Sequence, residues 1–427
     1  VSTPRRVGLP ADVTAVPVRT PRGTFASLQA GDAAVATVVL LVPGWTGSKE
    51  DFATLLPELA SRGLRAVAVD PRGQFETPGP ADPYAYTMPE LVADVRAVAQ
   101  AVSAAPVHLV GHSFGGLVAV EVALADPELS SLTLLGSGPG TLPDDQRAGL
   151  ETARETLEEH GLARTWEALQ RHERASGVPA PPPDVDEWLR RRFLAGSATA
   201  LLARTRHLLD APDRTDDLAR RPVPVLVVAG EHDDRWPPAA QAAMAAAIGA
   251  PYREIPGAGH SPAVDDPAAT AAQISAFVDR WPAPLRLSTT TLGAGSEQVP
   301  AVRRRVRECL QTLPAAVVDD TELVASELVT NALLHGTAPV SVDVTLRGST
   351  VQVSVSDAGP RCLGTDTHRP HHGRGLAIVA ALAQRTGGWQ DPDGCHVWAQ
   401  LASSSGSRPA HGAAAGTAAA PSGQAAR

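Results

Sequence analysis

Apolar residues cluster into short runs over the first two thirds of the chain. ATVVLLVPG, from about Val35, is β-branched, uninterrupted and stopped by Pro43-Gly44, the pattern of a strand buried on both faces. Comparable runs end at Asp70, at 107–111, at 131–136, at 223–230 and, more briefly, at 252–256. Between them the apolar positions recur three and four apart over 50–61, 89–103, 115–125 and 265–281, which predicts helices. Strands alternating with helices imply right-handed crossovers and a mostly parallel sheet covered on both faces. Residues 1–34 read as an irregular lead-in with one or two edge strands. Residues 141–221 break the alternation. They are charged and helix-prone, carry Trp166, Trp188 and Phe193, and are punctuated by Pro181-Pro182-Pro183. They are expected to form a helical insertion over the domain, and their aromatic residues to give its pocket an apolar lining.

The pattern changes after Pro282 and Pro284. LRLSTTTL alternates like a strand. Helices are predicted at 299–312 and 319–334, a hairpin at 340–346 and 351–356 turning on Arg347-Gly348-Ser349, a helix at 375–386 and a last strand in HVWAQL. Helices grouped beside antiparallel strands predict an α+β domain. From Ser403 onward Ser, Gly, Ala and Pro dominate, as in a disordered tail. The expected division is therefore 1–283 with an insertion at about 141–221, then 284–402, then the tail 403–427.

Composition narrows the function. The 427 residues carry a formal net charge of -9, which argues against a general nucleic-acid binder. No apolar run approaches the roughly 20 residues needed to span a bilayer, and VSTPRRVGLP lacks the apolar core of a signal peptide. The three cysteines, Cys309, Cys362 and Cys395, have no metal spacing, so reduced thiols and a cytoplasmic location are expected.

Gly111-His112-Ser113-Phe114-Gly115 matches G-x-S-x-G between a predicted strand and a predicted helix. That setting forces a sharp turn and projects the serine oxygen from the sheet edge. A serine hydroxyl needs a base to take its proton. His260, in PGAGHSP, follows the last short strand and holds the required place in the chain order serine, acid, histidine. The acid that orients the imidazole should follow the preceding strand, where VLVVAGEHDD offers Asp233 and Asp234, with Asp233 preferred. Two backbone N–H groups should form the oxyanion hole, those of Phe114 and of Trp45, with Gly44 allowing close approach.

With these residues in place, 35–281 resembles the α/β-hydrolase superfamily in its esterase and lipase-like branch. PGWTGS, DPRG, GHSFGG, AGEHD and GAGHSP fall in the family's order, with Pro43 where many members have His. The resemblance implies cleavage of a small ester, thioester, lactone or amide through an acyl-enzyme. Serine rather than aspartate at the nucleophile position points away from dehalogenase and epoxide-hydrolase chemistry.

A second constellation lies further on. Glu327 and Asn331 are four apart on one predicted helix face, which His335 extends. Asp357-Ala358-Gly359 follows a strand, and Gly373-Arg374-Gly375 opens a helix whose free N–H groups suit an anion. The segment 286–402 is similar to the histidine-kinase-like ATPase family, in particular to small actinobacterial regulators related to anti-sigma-factor serine kinases. The resemblance implies a Bergerat-type ATP-binding fold. Asn331 would hold Mg²⁺ against the phosphates, and Glu327 would orient or deprotonate the attacking group. Asp357 would bond the adenine amino group beside Gly359, and Gly373 and Gly375 would wrap the phosphates. Cys395-His396 follows Gly394 where the family often has Lys-Thr. His368, His371 and His372 read as a loop rather than a metal site. Two functions are thus expected: a serine hydrolase fused to an ATP-binding regulator, or a signalling protein that senses a ligand through its hydrolase fold and acts on a sigma factor or its antagonist. Coupling of the hydrolase to nucleotide state is a third reading.

Overall fold

In a computed structural model the described residues are 3–404 except 5–6, 127, 141, 176, 178, 294 and 360–373, with backbone alone at 145, 296 and 374. The first domain is built on an eight-stranded sheet. Its order is Thr14–Ala15, Ser27–Ala30, Arg65–Val69, Val38–Val42, His108–His112, Ser131–Leu135, Val225–Gly230 and Tyr252–Ile255. The first two strands pair antiparallel at one edge, and the other six run parallel.

The continuous apolar strands follow from burial on both faces. Val38, Leu40 and Val42 face one core layer with the helices Met88–Val102, Phe114–Ala125 and Pro238–Ile248. Val39 and Leu41 face the other, with Leu55–Ala60 and Pro267–Arg280. The period of two in a strand makes this division automatic. Phe114–Ala125 is apolar almost all round and almost wholly buried, as a helix at the centre of such a domain must be.

The insertion is helical: Asp144–Ala175, kinked at Gly161, then Pro183–Ala195, Ala198–Asp210 and Thr215–Ala219. Trp166, Trp188 and Phe193 do not line the cleft over Ser113, contrary to the expectation from sequence. They form a small core of their own with Leu157, Val185, Leu189 and Leu201. Two unpaired helical faces need such a core before they can cover anything else.

The second domain has an antiparallel sheet in the order Leu285–Leu292, Val340–Arg347, Thr350–Asp357, Gly394–Ala402 and Arg385–Asp391, with Val299–Cys309 and Ala315–His335 packed on it. The helix Arg374–Leu382 is shorter than its apolar pattern predicts, because the next residues enter the edge strand Arg385–Asp391. Gly387 and Gly388 in that strand depress its strand signal. A side chain at Gly387 would collide with the Trp398 ring. The helix Pro238–Ile248 was not foreseen, since its alanine-rich face carries little periodic contrast.

The domains meet at the end of the parallel sheet away from the strand C-termini. Arg347, 4% exposed, donates to the carbonyls of Leu129 and Ser130. Trp398 Nε1 donates to the Arg220 carbonyl at 2.8 Å and Gln400 Nε2 to that of Pro222 at 3.1 Å. Arg221 lies over the Trp389 ring at 4.3 Å. Cys309 is free, but Cys395 is disulfide-bonded, which corrects the expectation of reduced thiols. Odd cysteine number does not preclude one bridge. Among the described residues no helix is long and apolar enough to cross a membrane. Cys362, the histidines at 368, 371 and 372, Gly373 and the tail from 405 lie outside the described residues.

Candidate functional site

Ser113, Asp233 and His260 arrive at one place because each follows the C-terminal end of a parallel strand, the edge at which open α/β sheets place their ligands. Ser113 sits between its strand and its helix at φ 54°, ψ -122°. A non-glycine residue held there stores about 1–3 kcal/mol of strain, which the surrounding packing must sustain. The flanking glycines explain how it does. A Cβ on Gly111 would strike the Gly115 carbonyl and Gly116, and one on Gly115 would strike the Val42 and Pro43 carbonyls.

Ser113 Oγ lies 2.9 Å from His260 Nε2, and His260 Nδ1 lies 2.9 Å from Asp233 Oδ1. With Nδ1–H donating to the carboxylate, Nε2 is left to accept the serine proton. Asp233 is buried, and its Oδ1 also accepts from the N–H groups of Arg235 and Trp236 at 2.9 and 3.2 Å. Gln241 Nε2 donates to Oδ2 at 2.9 Å. Burial alone would raise this carboxyl. The bonds from His260, Arg235 and Trp236 outweigh it and hold Asp233 below the usual carboxylate range. Asp234, the other candidate, is exposed beside Arg235.

Gly44 packs directly on the serine, since a Cβ there would lie 3.1 Å from Ser113 Cβ. The peptide that follows, at Trp45, and the first helical residue, Phe114, flank the nucleophile. Trp45 is anchored by Nε1–H donating to Thr205 Oγ1 at 2.9 Å.

Several supporting residues escaped the sequence reading. Gln74 Nε2 donates to the Gly44 and Gly47 carbonyls at 2.8 and 2.6 Å, fixing the loop that carries Trp45. Asp51 in the same region receives Arg192 of the insertion at 2.5 Å, both side chains being buried. Lys49, the only lysine of the chain, is 1% exposed and meets Asp70 at 2.8 Å and Glu76 at 2.7 Å. His112 Nε2–H donates to the His260 carbonyl at 2.8 Å. Burial, reinforced by the neighbouring His260, pushes its pKa down to about 4, so its ring stays neutral and keeps that bond. None of these carries a spacing signal, because each joins segments distant in the chain. DPRG at 70–73, just before Gln74, was the nearest hint.

The cleft over Ser113 has a volume of about 670 Å³, within the range of small-molecule sites. Leu142, Leu150, Leu169 and Leu208 of the insertion make it apolar, and Gln146, His172 and Glu173 add polar groups.

In the second domain Asn331 and His335 project from one helix toward Asp357, and all three line a cavity of about 20 Å³ with Gly336 and Cys395. Asp357 Oδ1 accepts from the N–H groups of Thr337 and Gly359 at 3.1 and 2.8 Å. A Cβ on Gly336 or Gly359 would run into the Asp357 carboxylate. Glu327 does not line this cavity. Its carboxylate lies against Gly375 at the start of the next helix. The donor set suits a nucleotide: a carboxylate at the floor, an amide beside it and a glutamate at a glycine-led helix start. The volume is far below the roughly 300–1,000 Å³ of ligand sites. Among the described residues no cluster of His, Cys, Asp and Glu could hold a metal on its own.

Residues 39–273, more than half of the chain, match the alpha/beta hydrolase family, and the protein belongs to that family. Residues 292–401 match the histidine kinase-like ATPase domain. The chain is 27% identical to epoxide hydrolase B of Mycobacterium tuberculosis over 180 residues, covering 41% of this chain and 51% of that one. It is 35% identical over 107 residues to a serine hydrolase-like protein of Danio rerio, covering 25% and 32%. The chain spans at most about half the length of these curated relatives. A hydrolase from Pseudomonas aeruginosa PA01 superposes with a TM-score of 0.53 at 25% identity, covering 62% of this chain and 98% of that one. The enol-lactonase from Burkholderia xenovorans LB400 has the same fold, at a TM-score of 0.52 and 19% identity, covering 62% and 100%.

Proposed function

We propose that the protein is a serine hydrolase that cleaves a small ester, thioester, lactone or amide through an acyl-enzyme on Ser113. The observation that carries this reading is the unbroken relay from Ser113 Oγ through His260 to Asp233, with both links at 2.9 Å. As the carbonyl carbon is attacked, His260 takes the serine proton and Asp233 stabilises the imidazolium. The N–H groups of Trp45 and Phe114 receive the oxyanion. His260 then protonates the leaving group, and water, deprotonated by the same imidazole, releases the acid. The apolar cleft favours an apolar acyl or alcohol portion.

The likeness to an epoxide hydrolase does not alter the assignment. Opening an epoxide with a serine oxygen would leave an ether, which lacks the carbonyl that water attacks to regenerate the enzyme. An acyl ester has that carbonyl. The test is turnover of p-nitrophenyl acetate and butyrate by the wild type and by Ser113→Ala, with mass spectrometry of a fluorophosphonate adduct. Loss of turnover by at least about 10³-fold and an adduct on Ser113 are expected. Equal rates in the two proteins overturn the proposal.

For the second domain the donor set supports ATP with Mg²⁺. Asn331 would hold the metal beside the phosphates, Asp357 would recognise the base with Gly359 beside it, and Glu327 would face the transferred group, with Gly373 and Gly375 around the phosphates. Bound ATP would supply a phosphoryl group for an anti-sigma-factor-like serine kinase, or serve as a ligand of regulation. The buried contacts of Arg347, Trp398 and Gln400 with the first domain favour a regulatory second reading. In that reading ligand in the hydrolase fold alters how the second domain treats a sigma factor or its antagonist. Equilibrium binding of radiolabelled ATP with Mg²⁺, followed by retention of candidate sigma-factor regulators on immobilised protein, tests it. Absence of both overturns it.

A further inference from the structure

A second cavity, of about 680 Å³, lies beside the catalytic cleft and shares no lining residue with it. The helix Ala198–Asp210 divides the two, with His207 and Asp210 on the new cavity and Leu208 on the cleft. Its walls come from the helices Met88–Val102, Phe114–Ala125 and Pro238–Ile248 and from 206–218 at the end of the insertion.

The chemistry of those walls is specific. The chain has two methionines, Met88 and Met244, and both line this cavity. Methionine side chains are unbranched and polarisable, and they adapt to apolar ligands of varied shape. Leu117, Val120 and Ile248 extend the apolar surface. Three guanidinium groups, Arg96, Arg206 and Arg214, and two carboxylates, Glu121 and Asp210, supply its charged groups. Arg214 is committed to Glu121 and Arg206 to Glu158, each at 2.8 Å. Among the described residues Arg96 has one ion-pair partner, Asp126, at 3.8 Å, and its side chain is 44% exposed.

We propose that this cavity is a second ligand site, for an amphipathic monoanion. The hydrocarbon chain of an aliphatic carboxylate lies against Met88, Leu117, Val120 and Met244, and its carboxylate pairs with Arg96. The site is placed to act on the catalytic residues. The His207 ring stacks on Phe114 with centroids 6.3 Å apart and planes 18° apart. Gly138, another wall, packs so closely on Trp236 that a Cβ would collide with it, and the Trp236 ring lies 6.1 Å from that of His260. Arg214 and Leu218 line the opposite side, on the short segment that runs into the Arg220 and Pro222 carbonyls held by the second domain.

The two methionines make the test direct. The full chain, labelled with methyl-¹³C-methionine, is titrated with sodium decanoate below its micelle concentration, with 1-decanol and with decyltrimethylammonium. Saturable shifts of both methyl signals by decanoate are expected, with affinity at least fivefold above that of decyltrimethylammonium. Ala93→Trp fills the mouth from a half-buried lining position and should abolish the shifts. Arg96→Glu, a surface change, should weaken decanoate at least fivefold and leave decanol unchanged. Decanoate should also alter ester turnover in the wild type and not in Ala93→Trp. No shift at millimolar decanoate, shifts that survive Ala93→Trp, or equal binding of the cationic amphiphile would each overturn the proposal. The spectra do not depend on turnover, so this outcome is independent of whether Ser113 is a nucleophile.

Discussion

The two candidate sites of this chain are held in opposite ways. Around Ser113 every reacting group sits at the end of a parallel strand, and its partners are already at bonding distance: His260 on the serine, Asp233 on His260, and Arg235, Trp236 and Gln241 on Asp233. The cleft beside them is open, at about 670 Å³. Around Asp357 the polar groups turn inward. The carboxylate caps its own loop at Thr337 and Gly359, Glu327 rests on Gly375, and the enclosed volume is about 20 Å³. One site is prepared before its substrate arrives. The other is closed on its own bonds, which any ligand would have to replace.

Matched asparagine substitutions test this contrast most severely. Asp233→Asn should lower ester turnover by about 10⁴-fold, because the imidazole loses its orienting carboxylate, and should leave nucleotide binding intact. Asp357→Asn should do the reverse, abolishing labelled-ATP binding while turnover stays within about twofold. A large fall in turnover from the second substitution would show that the sites are not separate.

The next largest effect concerns the seam between the domains. Arg347→Met removes buried charged donors from the Leu129 and Ser130 carbonyls and should cost about 2 kcal/mol. Calorimetry should then resolve one unfolding transition into two. A single unshifted transition would mean that the contact contributes nothing. Gln74→Ala releases the Gly44 and Gly47 carbonyls. It should lower kcat about tenfold, equivalent to about 1.4 kcal/mol, with KM nearly unchanged, because the loop it holds serves the oxyanion more than the bound ester.

The mildest perturbation is a shift from pH 7 to about pH 6. Burial pushes His108 down to about 3 and His112 to about 4. The unfolded chain therefore binds more protons than the folded one between the unperturbed value and these. Stability from each is complete above about pH 6.5 and declines as pH falls toward 4 and then 3. At pH 6 the loss is under about 1 kcal/mol per histidine. His108→Gln should flatten the dependence of Tm on pH between 7 and 4, and an unchanged slope would remove His108 from the account.

The hydrolase relay was legible in the chain because it obeys local rules. A glycine-flanked serine between a strand and a helix, and an aspartate and a histidine after later strands, each announce themselves within a few residues. What surrounds them did not. Gln74 on the Gly44 loop, Arg192 on Asp51 and His112 behind His260 join segments whose pairing only the fold decides. The aromatic residues of the insertion were misjudged for the same reason: composition shows that Trp166, Trp188 and Phe193 are buried, not which surface they cover. In the second domain Gly387, one of two glycines that weaken the strand signal there, admits the ring of Trp398. The seam itself rests on Arg347 and Gln400, which a sequence presents as ordinary polar residues.

The burial of Lys49 has a consequence for an enzyme that would handle activated acyl groups. Thioesters and lactones acylate free primary amines, and a protein that binds such species beside its own surface is exposed to its own substrates. Here the one side-chain amine of the polypeptide is sealed among carboxylates, and the exposed cations are guanidinium groups, which are far poorer nucleophiles. A hydrolase of such substrates would thereby resist modification by what it cleaves, and amine-directed dyes or cross-linkers should leave the side chains of this protein untouched.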